Sequence, residues 1–275
     1  MPEGPEVRNI TRKLNIRLAG ANLISFSIGE KKDLLQNLTI VNVACRGKLI
    51  VFILVSPLSE QVSPLSEQVV RSSPEPENIY ITSSLGMTGS WTQSKGSYTK
   101  AVLYTSVGNF YYEDMRGFGK IAIQRTEAEL DQRLSKIGFD LLEASLNHPK
   151  IPDEQWLDFF NRKSRKKICV FLLEQDKIAG IGNYLRSEIL HQAKINPHRI
   201  ISSLSDEELL LLRDSTQEVI VRAYHSNGLT IKDYVDPEGE KGSFVCSVYG
   251  RKTDEQGRKV VTEKVSGRSI FYVEH

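Results

Sequence analysis

The chain has 275 residues, 40% hydrophobic and 25% charged, with a formal net charge of +2. That is ordinary soluble composition with room for one or two cored domains. Near-neutrality excludes a uniformly basic polyanion-binding surface, so any nucleic-acid face must come from local charge placement. The chain opens Met-Pro-Glu-Gly-Pro-Glu, which has two readings. Proline suits a first helical turn. Alternatively, removal of Met1 leaves Pro2 as a secondary amine beside the Glu3 carboxylate, able to attack an electrophilic carbon and form a Schiff base.

From Pro5 to Leu18, Val7, Ile10, Leu14 and Leu18 recur every three or four residues, predicting an amphipathic helix that ends at Gly20. From about 22 to 125 the period falls to two. Runs at Leu23–Ile28, Thr39–Ala44, Lys48–Val55, Asn78–Thr82, Ala101–Thr105, Phe110–Glu113 and Lys120–Gln124 predict an antiparallel β-sandwich. VSPLSEQ at Val55–Gln61 is repeated letter for letter at Val62–Gln68 and, with Ser73-Pro74-Glu75-Pro76-Glu77, reads as a lengthened inter-strand loop.

Beyond 127 the pattern is helical. Candidate helices are Ala128–Ile137, Pro152–Asn161 and Tyr184–Ala193, and Ser205 with Glu208 forms a capping box for a helix running to about Tyr224. Two strand-like runs, Phe244–Tyr249 and Ser269–Val273, close the chain as a hairpin. The expected fold class is α+β, with boundaries at 1–126 (β-sandwich and helix), 127–150 (linker), 151–242 (helical domain and a loop) and 243–275 (hairpin).

Several stretches carry chemistry, each beside a plainer reading. Lys167–Asn183 reads as two helices joined by a glycine turn: free amides at the second helix and the Asn183 side chain suit phosphate, or the glycines merely permit the turn. The basic run Arg162-Lys163-Ser164-Arg165-Lys166-Lys167 meets the same phosphates or is a solvated face. Lys48 reaches into a cleft or begins an exposed strand. The glycine-flanked loops at 85–89 and 114–119 present Met87, Arg116 and Phe118, suited to wedging into a base stack or simply to turns.

Cys45, Cys169 and Cys246 form no CxxC pair, and the histidines form no HxH or HExxH spacing, so no metal and no disulfide framework are expected. The longest apolar run, Leu49–Val55, is too short to span a bilayer, and the amino terminus lacks a signal-peptide pattern. The expectation is an intracellular protein with no membrane partner.

Met-Pro-Glu-Gly-Pro-Glu-Val at 1–7, Arg-Gly-Lys at 46–48, Leu-Gly-Met-Thr-Gly-Ser at 85–90, Asp-Met-Arg-Gly-Phe-Gly at 114–119, Gly-Ile-Gly-Asn-Tyr-Leu at 180–185, Val-Tyr-Gly-Arg at 248–251 and Gly267-Arg268-Ser269 occur in one order. Together they resemble the formamidopyrimidine-DNA glycosylase/endonuclease VIII (Fpg/Nei) family across the whole chain. The resemblance implies a bifunctional DNA glycosylase/AP lyase of base excision repair, acting without cofactor as a monomer on damaged double-stranded DNA. It assigns the nucleophile to Pro2, the assisting acid to Glu3, phosphate contact and β-elimination to Lys48, and the finger arginine of δ-elimination to Arg268. An α-amino group titrates near ~8 against ~10.4 for a lysine side chain, so the terminal amine is the better neutral-pH nucleophile.

Met87, Arg116 and Phe118 match residues that fill the void left by the extruded base. Lys100, Arg165, Asn183 and Arg251 match DNA-contacting positions, Asn183 within a helix–two-turn–helix, and Glu6 and Glu188 match supporting positions. Only Cys246 lies beyond residue 240, where many relatives carry a four-cysteine zinc finger. The chain therefore resembles the zincless-finger endonuclease VIII-like branch, implying a preference for oxidised pyrimidines and ring-opened purines, with an 8-oxoguanine preference as the alternative. A catalytically silent DNA-binding relative is expected to lack Pro2, Glu3 or Lys48, and all are present.

Overall fold

The computed structural model describes residues 2–56, 78–229 and 242–274. Almost all of the VSPLSEQ repeat, the Ser73–Glu77 stretch and most of the loop after Gly228 lie outside the described residues, as do Met1 and His275. By contact the chain divides into two compact units. One comprises Thr11–Ala44 and Ile50–Gln132; the other comprises Met1–Ile10, Cys45–Leu49 and Arg133–His275.

The opening periodicity yields helix α1 (Gly4–Leu18), whose Val7, Ile10, Leu14 and Leu18 are all buried. The first unit is built on antiparallel strands β1 (Asn22–Ile28), β2 (Lys31–Arg46), β3 (Leu49–Val55), β4 (Asn78–Ser84), β5 (Ser90–Thr92), β6 (Thr99–Thr105), β7 (Gly108–Glu113) and β8 (Lys120–Gln124). They hydrogen-bond as one sheet in the order β5-β7-β6-β1-β2-β3-β4-β8. Trp91 of β5 packs 5.2 Å from Phe52 of β3 and 5.3 Å from Tyr112 of β7, and its Nε1 donates to Ser83 Oγ of β4. In the hydrogen-bonded order β7, β6, β1 and β2 stand between β5 and β3. The sheet must therefore fold back so that its two halves enclose one core, with inner faces opposed as in a sandwich.

β2 begins eight residues before the expected Thr39, directly after the turn at Gly29 (φ 56°), with Ile28 opposite Lys31. It opens with three charged residues, Lys31, Lys32 and Asp33, and Asp33 and Asn37 take positive φ (50° and 53°), which breaks the alternation on which a strand reading depends.

The second unit is mainly helical. It contains α3 (Leu141–Asn147), α4 (Asp153–Leu157), α5 (Ile168–Phe171), α6 (Asn183–Gln192) and α7 (Asp206–His225), preceded by α2 (Glu127–Leu134), which runs in from the other unit. The short β9 (Phe139–Asp140) and β10 (Ile178–Ala179) pair in parallel. The Ser205–Glu208 capping box at α7 is present in both directions. The helix expected over Pro152–Asn161 is shorter, because Phe159 and Phe160 turn back to Trp156 and Leu157 with three-residue hydrogen bonds. Trp156 still anchors the core, its Nε1 donating to Leu209 O at 2.7 Å.

The carboxyl-terminal hairpin is made of β11 (Val261–Val265) and β12 (Arg268–Tyr272), in register from Val261–Tyr272 to Val265–Arg268. Its turn, Ser266-Gly267, has positive φ at both residues (50° and 78°), as a two-residue hairpin loop requires. Phe244–Tyr249, expected as its other strand, is not one. The amides of Ser247, Val248 and Tyr249 all donate to the Glu188 carboxylate, at 2.6 to 3.0 Å, and so are withdrawn from strand pairing.

Candidate active site

Glu3 lies just before α1, and its buried carboxylate sits on the start of α6. Oε2 accepts from Gly182 N at 2.6 Å and Leu185 N at 3.3 Å, and Oε1 accepts from Tyr184 N at 3.0 Å. A helix start offers unpaired amides and the positive end of its dipole, so it is a natural seat for an anion. The expectation that these amides are free for phosphate is thus corrected: the protein's own carboxylate occupies them. Gly182 permits the seat, since a Cβ there would collide with the Glu3 side chain. Gly4 N donates to Gly180 O at 2.9 Å, fixing the terminus to the same loop, and Pro2 is buried.

Glu6 completes this inner layer. Its Oε2 accepts from Glu3 N at 2.8 Å, while Oε1 accepts from Tyr184 Oη at 2.8 Å and Leu229 N at 2.7 Å. Its role is therefore to hold the backbone of Glu3 and the start of the chain after α7. Tyr184, which sequence reasoning passed over, serves both acids: its amide binds Glu3 and its phenol binds Glu6.

Lys48 follows Gly47, whose positive φ (56°) makes the turn and whose amide donates to Asp140 Oδ2 at 2.7 Å. The Lys48 ammonium is carried inward and donates to Ile181 O at 2.6 Å. That carbonyl also accepts from Gln175 Nε2 at 2.8 Å, and Gln175 Oε1 accepts from Gly180 N at 3.1 Å. Gln175 thereby holds the loop that receives Lys48. Asp140 also caps α3, its Oδ1 accepting from Glu143 N at 3.2 Å.

Burial pushes Glu3 up to about 7, with Glu6 adding to the rise and Lys48 and the amides of Tyr184 and Gly182 opposing it. Burial likewise lowers Lys48, against the attraction of Glu3 and Glu6 and with repulsion from Arg268. Both groups are pushed toward their neutral forms, Glu3 toward the carboxylic acid and Lys48 toward the free amine. Arg268, the first residue of β12, is exposed and acts on Lys48 through its charge; Asn183 opens α6 and is half-buried. Glu188 lies farther along α6 and holds the Ser247–Tyr249 segment that precedes the hairpin. Arg165 and Arg251 are exposed in this unit.

In the other unit Met87, Arg116 and Phe118 are exposed, Phe118 to 57%, and the Arg116 guanidinium lies over the Phe118 ring at 5.0 Å. Asp114 latches their two loops: Oδ1 accepts from Thr88 Oγ1 at 2.6 Å and Oδ2 from Gly119 N at 2.8 Å, while Arg116 N donates to Thr88 Oγ1 at 3.0 Å. Lys100 lines a cavity of about 340 Å³ with Asp114, Gly117 and Gly119.

The formamidopyrimidine-DNA glycosylase N-terminal domain family matches residues 1–121, and the formamidopyrimidine-DNA glycosylase H2TH domain family matches residues 152–235. The formamidopyrimidine-DNA glycosylase of Pelotomaculum thermopropionicum is 27% identical over 99% of this chain and 97% of its own length. That of Desulfitobacterium hafniense is 28% identical over 99% and 98%. Among solved structures, MutM (Fpg) from Thermus thermophilus superposes with a TM-score of 0.80 at 26% identity, covering 98% of this chain and 97% of that one. Lactococcus lactis Fpg in complex with abasic-site DNA gives 0.79 at 26% identity, with the same coverage. A mutant of that protein bound to Fapy-dG containing DNA also gives 0.79 at 26% identity, over 99% and 98%. With both domain families matched in order, the chain belongs to the formamidopyrimidine-DNA glycosylase/endonuclease VIII family of DNA-repair glycosylases.

Proposed function

We propose that this protein excises oxidised bases from duplex DNA and cleaves the resulting abasic site, with Pro2 as nucleophile once Met1 is removed. The Pro2 nitrogen bonds to C1′ as the bond from C1′ to the base breaks, and the amine's proton goes to the departing base. Glu3 gives a proton to the ring oxygen as the sugar opens, leaving an iminium that joins enzyme and DNA. Lys48, held as a shifted amine, serves the proton loss at C2′ that expels the 3′ phosphate, and Arg268 serves the later loss of the 5′ phosphate. Met87, Arg116 and Phe118 fill the void left by the flipped nucleotide. Lys100, Arg165, Asn183 and Arg251 hold backbone phosphates.

The observation that carries this reading is the seat of Glu3: a buried acid fixed by three amides of the α6 turn, directly after Pro2 in the chain. The test is borohydride trapping on abasic duplex DNA. A covalent adduct is expected from processed protein and is expected to vanish in Pro2→Gly and in chains retaining Met1. No adduct from a verified Pro2 terminus overturns the assignment.

Residues 1–126 are read as the catalytic domain, 127–150 as a linker, 151–242 as the DNA grip with its lesion-side loop, and 243–275 as a zincless finger. Support for the finger reading is the Glu188 anchor and a small cluster of Val248, Val260, Val273 and Phe271 that packs the hairpin. Activity is expected to survive a strong chelator; inactivation reversed by zinc overturns it. Oxidised pyrimidines and ring-opened purines are the favoured lesions. Two Lactococcus lactis Fpg complexes, one with Fapy-dG and one with an oxidised pyrimidine in the DNA, support that choice. The second reading, 8-oxoguanine first, draws on the Met87/Arg116/Phe118 trio. A lesion panel opposite all four bases separates them.

A further inference from the structure

Arg186, in α6, is a completely buried cation at 0% exposure. The other fully buried arginine among the described residues, Arg213, is ion-paired with Asp153 and Asp214. No ion pair to a carboxylate is made by Arg186 among the described residues. Its guanidinium instead faces oxygens of two other segments and of its own helix. Nη1 donates to Cys169 O of α5 at 2.9 Å, and Nη2 donates to Ser269 O of β12 at 2.8 Å and to Asn183 Oδ1 at 3.5 Å. Nε is buried with no hydrogen-bond partner. A guanidinium keeps its charge at any working pH, and burying a charge without a counter-charge is unfavourable.

The placement of those acceptors is informative. Asn183 and Arg268 are the groups read above as phosphate contacts, and Arg186 touches the side chain of one and the residue next to the other. With Oδ1 of Asn183 turned to Arg186, the amide nitrogen of Asn183 is left as the end available to a phosphate oxygen, the polarity a phosphate needs. The fork geometry of arginine is also what allows one side chain to bind three acceptors at once.

We propose that Arg186 is a positioning residue that locks Asn183 and the Arg268 finger into one phosphate-gripping unit, its unpaired charge balanced by the backbone phosphates of bound DNA. The proposal rests on the glycosylase/lyase reading, so borohydride trapping by the wild-type protein is measured first; failure there removes that reading without testing Arg186. Given trapping, Arg186→Met and Arg186→Lys are compared in the full chain on duplex DNA containing an abasic site. The readouts are the ratio of δ- to β-elimination products and the salt dependence of binding to a duplex with an uncleavable abasic analogue.

In Arg186→Met the product ratio is expected to fall by about tenfold or more, as displaced catalytic groups commonly cost, and the salt dependence to become shallower. Arg186→Lys is expected to keep the salt dependence but not restore the ratio, because an ammonium lacks the fork. In an Arg268→Ala background, Arg186→Met is expected to change the ratio no further. A general loss of packing would instead slow both eliminations equally and add to the Arg268→Ala effect, and that result overturns the proposal. If Arg186→Met does not fold, the ratio in Arg186→Lys decides: a wild-type ratio overturns it.

Discussion

Gly182→Ala tests the central geometry without altering any group assigned to chemistry. A methyl at Gly182 would lie 2.7 Å from Glu3 Cγ and nearer still to its Cδ and Oε1. Carbon–carbon contact is comfortable only from about 3.5 Å, so the carboxylate has to retreat by roughly 1 Å. Because φ at Gly182 is −129°, a value open to any residue, the effect is steric and not conformational. Displacement lengthens the bonds from Gly182 N, Tyr184 N and Leu185 N. Each buried donor left poorly paired costs on the order of 1–3 kcal/mol, and each kcal/mol lowers the thermal midpoint by about 2–4 °C for a chain of this size. A misplacement near 1 Å in a catalytic group costs about 100-fold in rate. Single-turnover borohydride trapping on abasic duplex DNA should therefore slow by about two orders of magnitude, while affinity for an uncleavable abasic analogue stays within a few-fold. A folded Gly182→Ala protein that traps at the wild-type rate would refute the claim that the α6 seat of Glu3 sets the reaction.

Three further outcomes follow from the same contacts. Glu3 titrates near 7 in the folded protein against an ordinary 4.5, so the folded state holds that proton more tightly; the resulting stabilisation is full below pH 4.5 and is lost as pH rises through 7. The fall in thermal midpoint between those pH values should flatten in Glu3→Gln, and an unchanged slope would show that Glu3 is not the group responsible. Glu188→Gln places an amide donor where Ser247 N or its neighbours need an acceptor, at about 1–3 kcal/mol; differential scanning calorimetry should show a midpoint several degrees lower, and no loss would mean the Ser247–Tyr249 segment is held elsewhere. Phe118→Ala removes an exposed ring, so the midpoint should not move. Excision from duplex DNA should drop by about tenfold or more relative to single-stranded DNA, where no stack needs filling; an equal drop on both substrates counts against the wedge role.

What the sequence made legible was local. The helix α1 announces itself because Val7, Ile10, Leu14 and Leu18 fall on one face, and the capping box at Ser205 is contained in four residues. The strand β5 is only three residues long, too short to display a period, and nothing local reveals that Trp91 packs on Phe52 and Tyr112. The mistaken strand at Phe244–Tyr249 has the opposite cause. Its composition suits a strand, but its amides are claimed by a carboxylate about sixty residues earlier, and no local pattern carries that information. The true partner, Val261–Val265, has three polar residues between its two valines, so no apolar alternation marks it as a strand. At the site, Pro2, Glu3 and Lys48 were visible as motifs, whereas Tyr184, Asp140 and Gln175 matter only through hydrogen bonds closed by the fold.

Those closures share one physical form. Glu3, Glu6, Glu188 and Asp140 each accept from two or more backbone amides, and each joins segments distant in the chain. A charged acceptor makes stronger bonds than a neutral one, and buried amides are costly to leave unpaired. Such a joint depends on the carboxylate and on where the main chain runs, with little regard for which side chains the donor residues carry. Surrounding residues can then drift while the joints keep the backbone in place. Such joints would permit a shared fold at low identity, as in the superposition at a TM-score of 0.80 with 26% identity. It also explains why the glycine facing a carboxylate, as at Gly182, is a more exacting position than most of the hydrophobic core: a core side chain can be replaced by another of similar volume, but a Cβ placed against a seated acid has no such substitute.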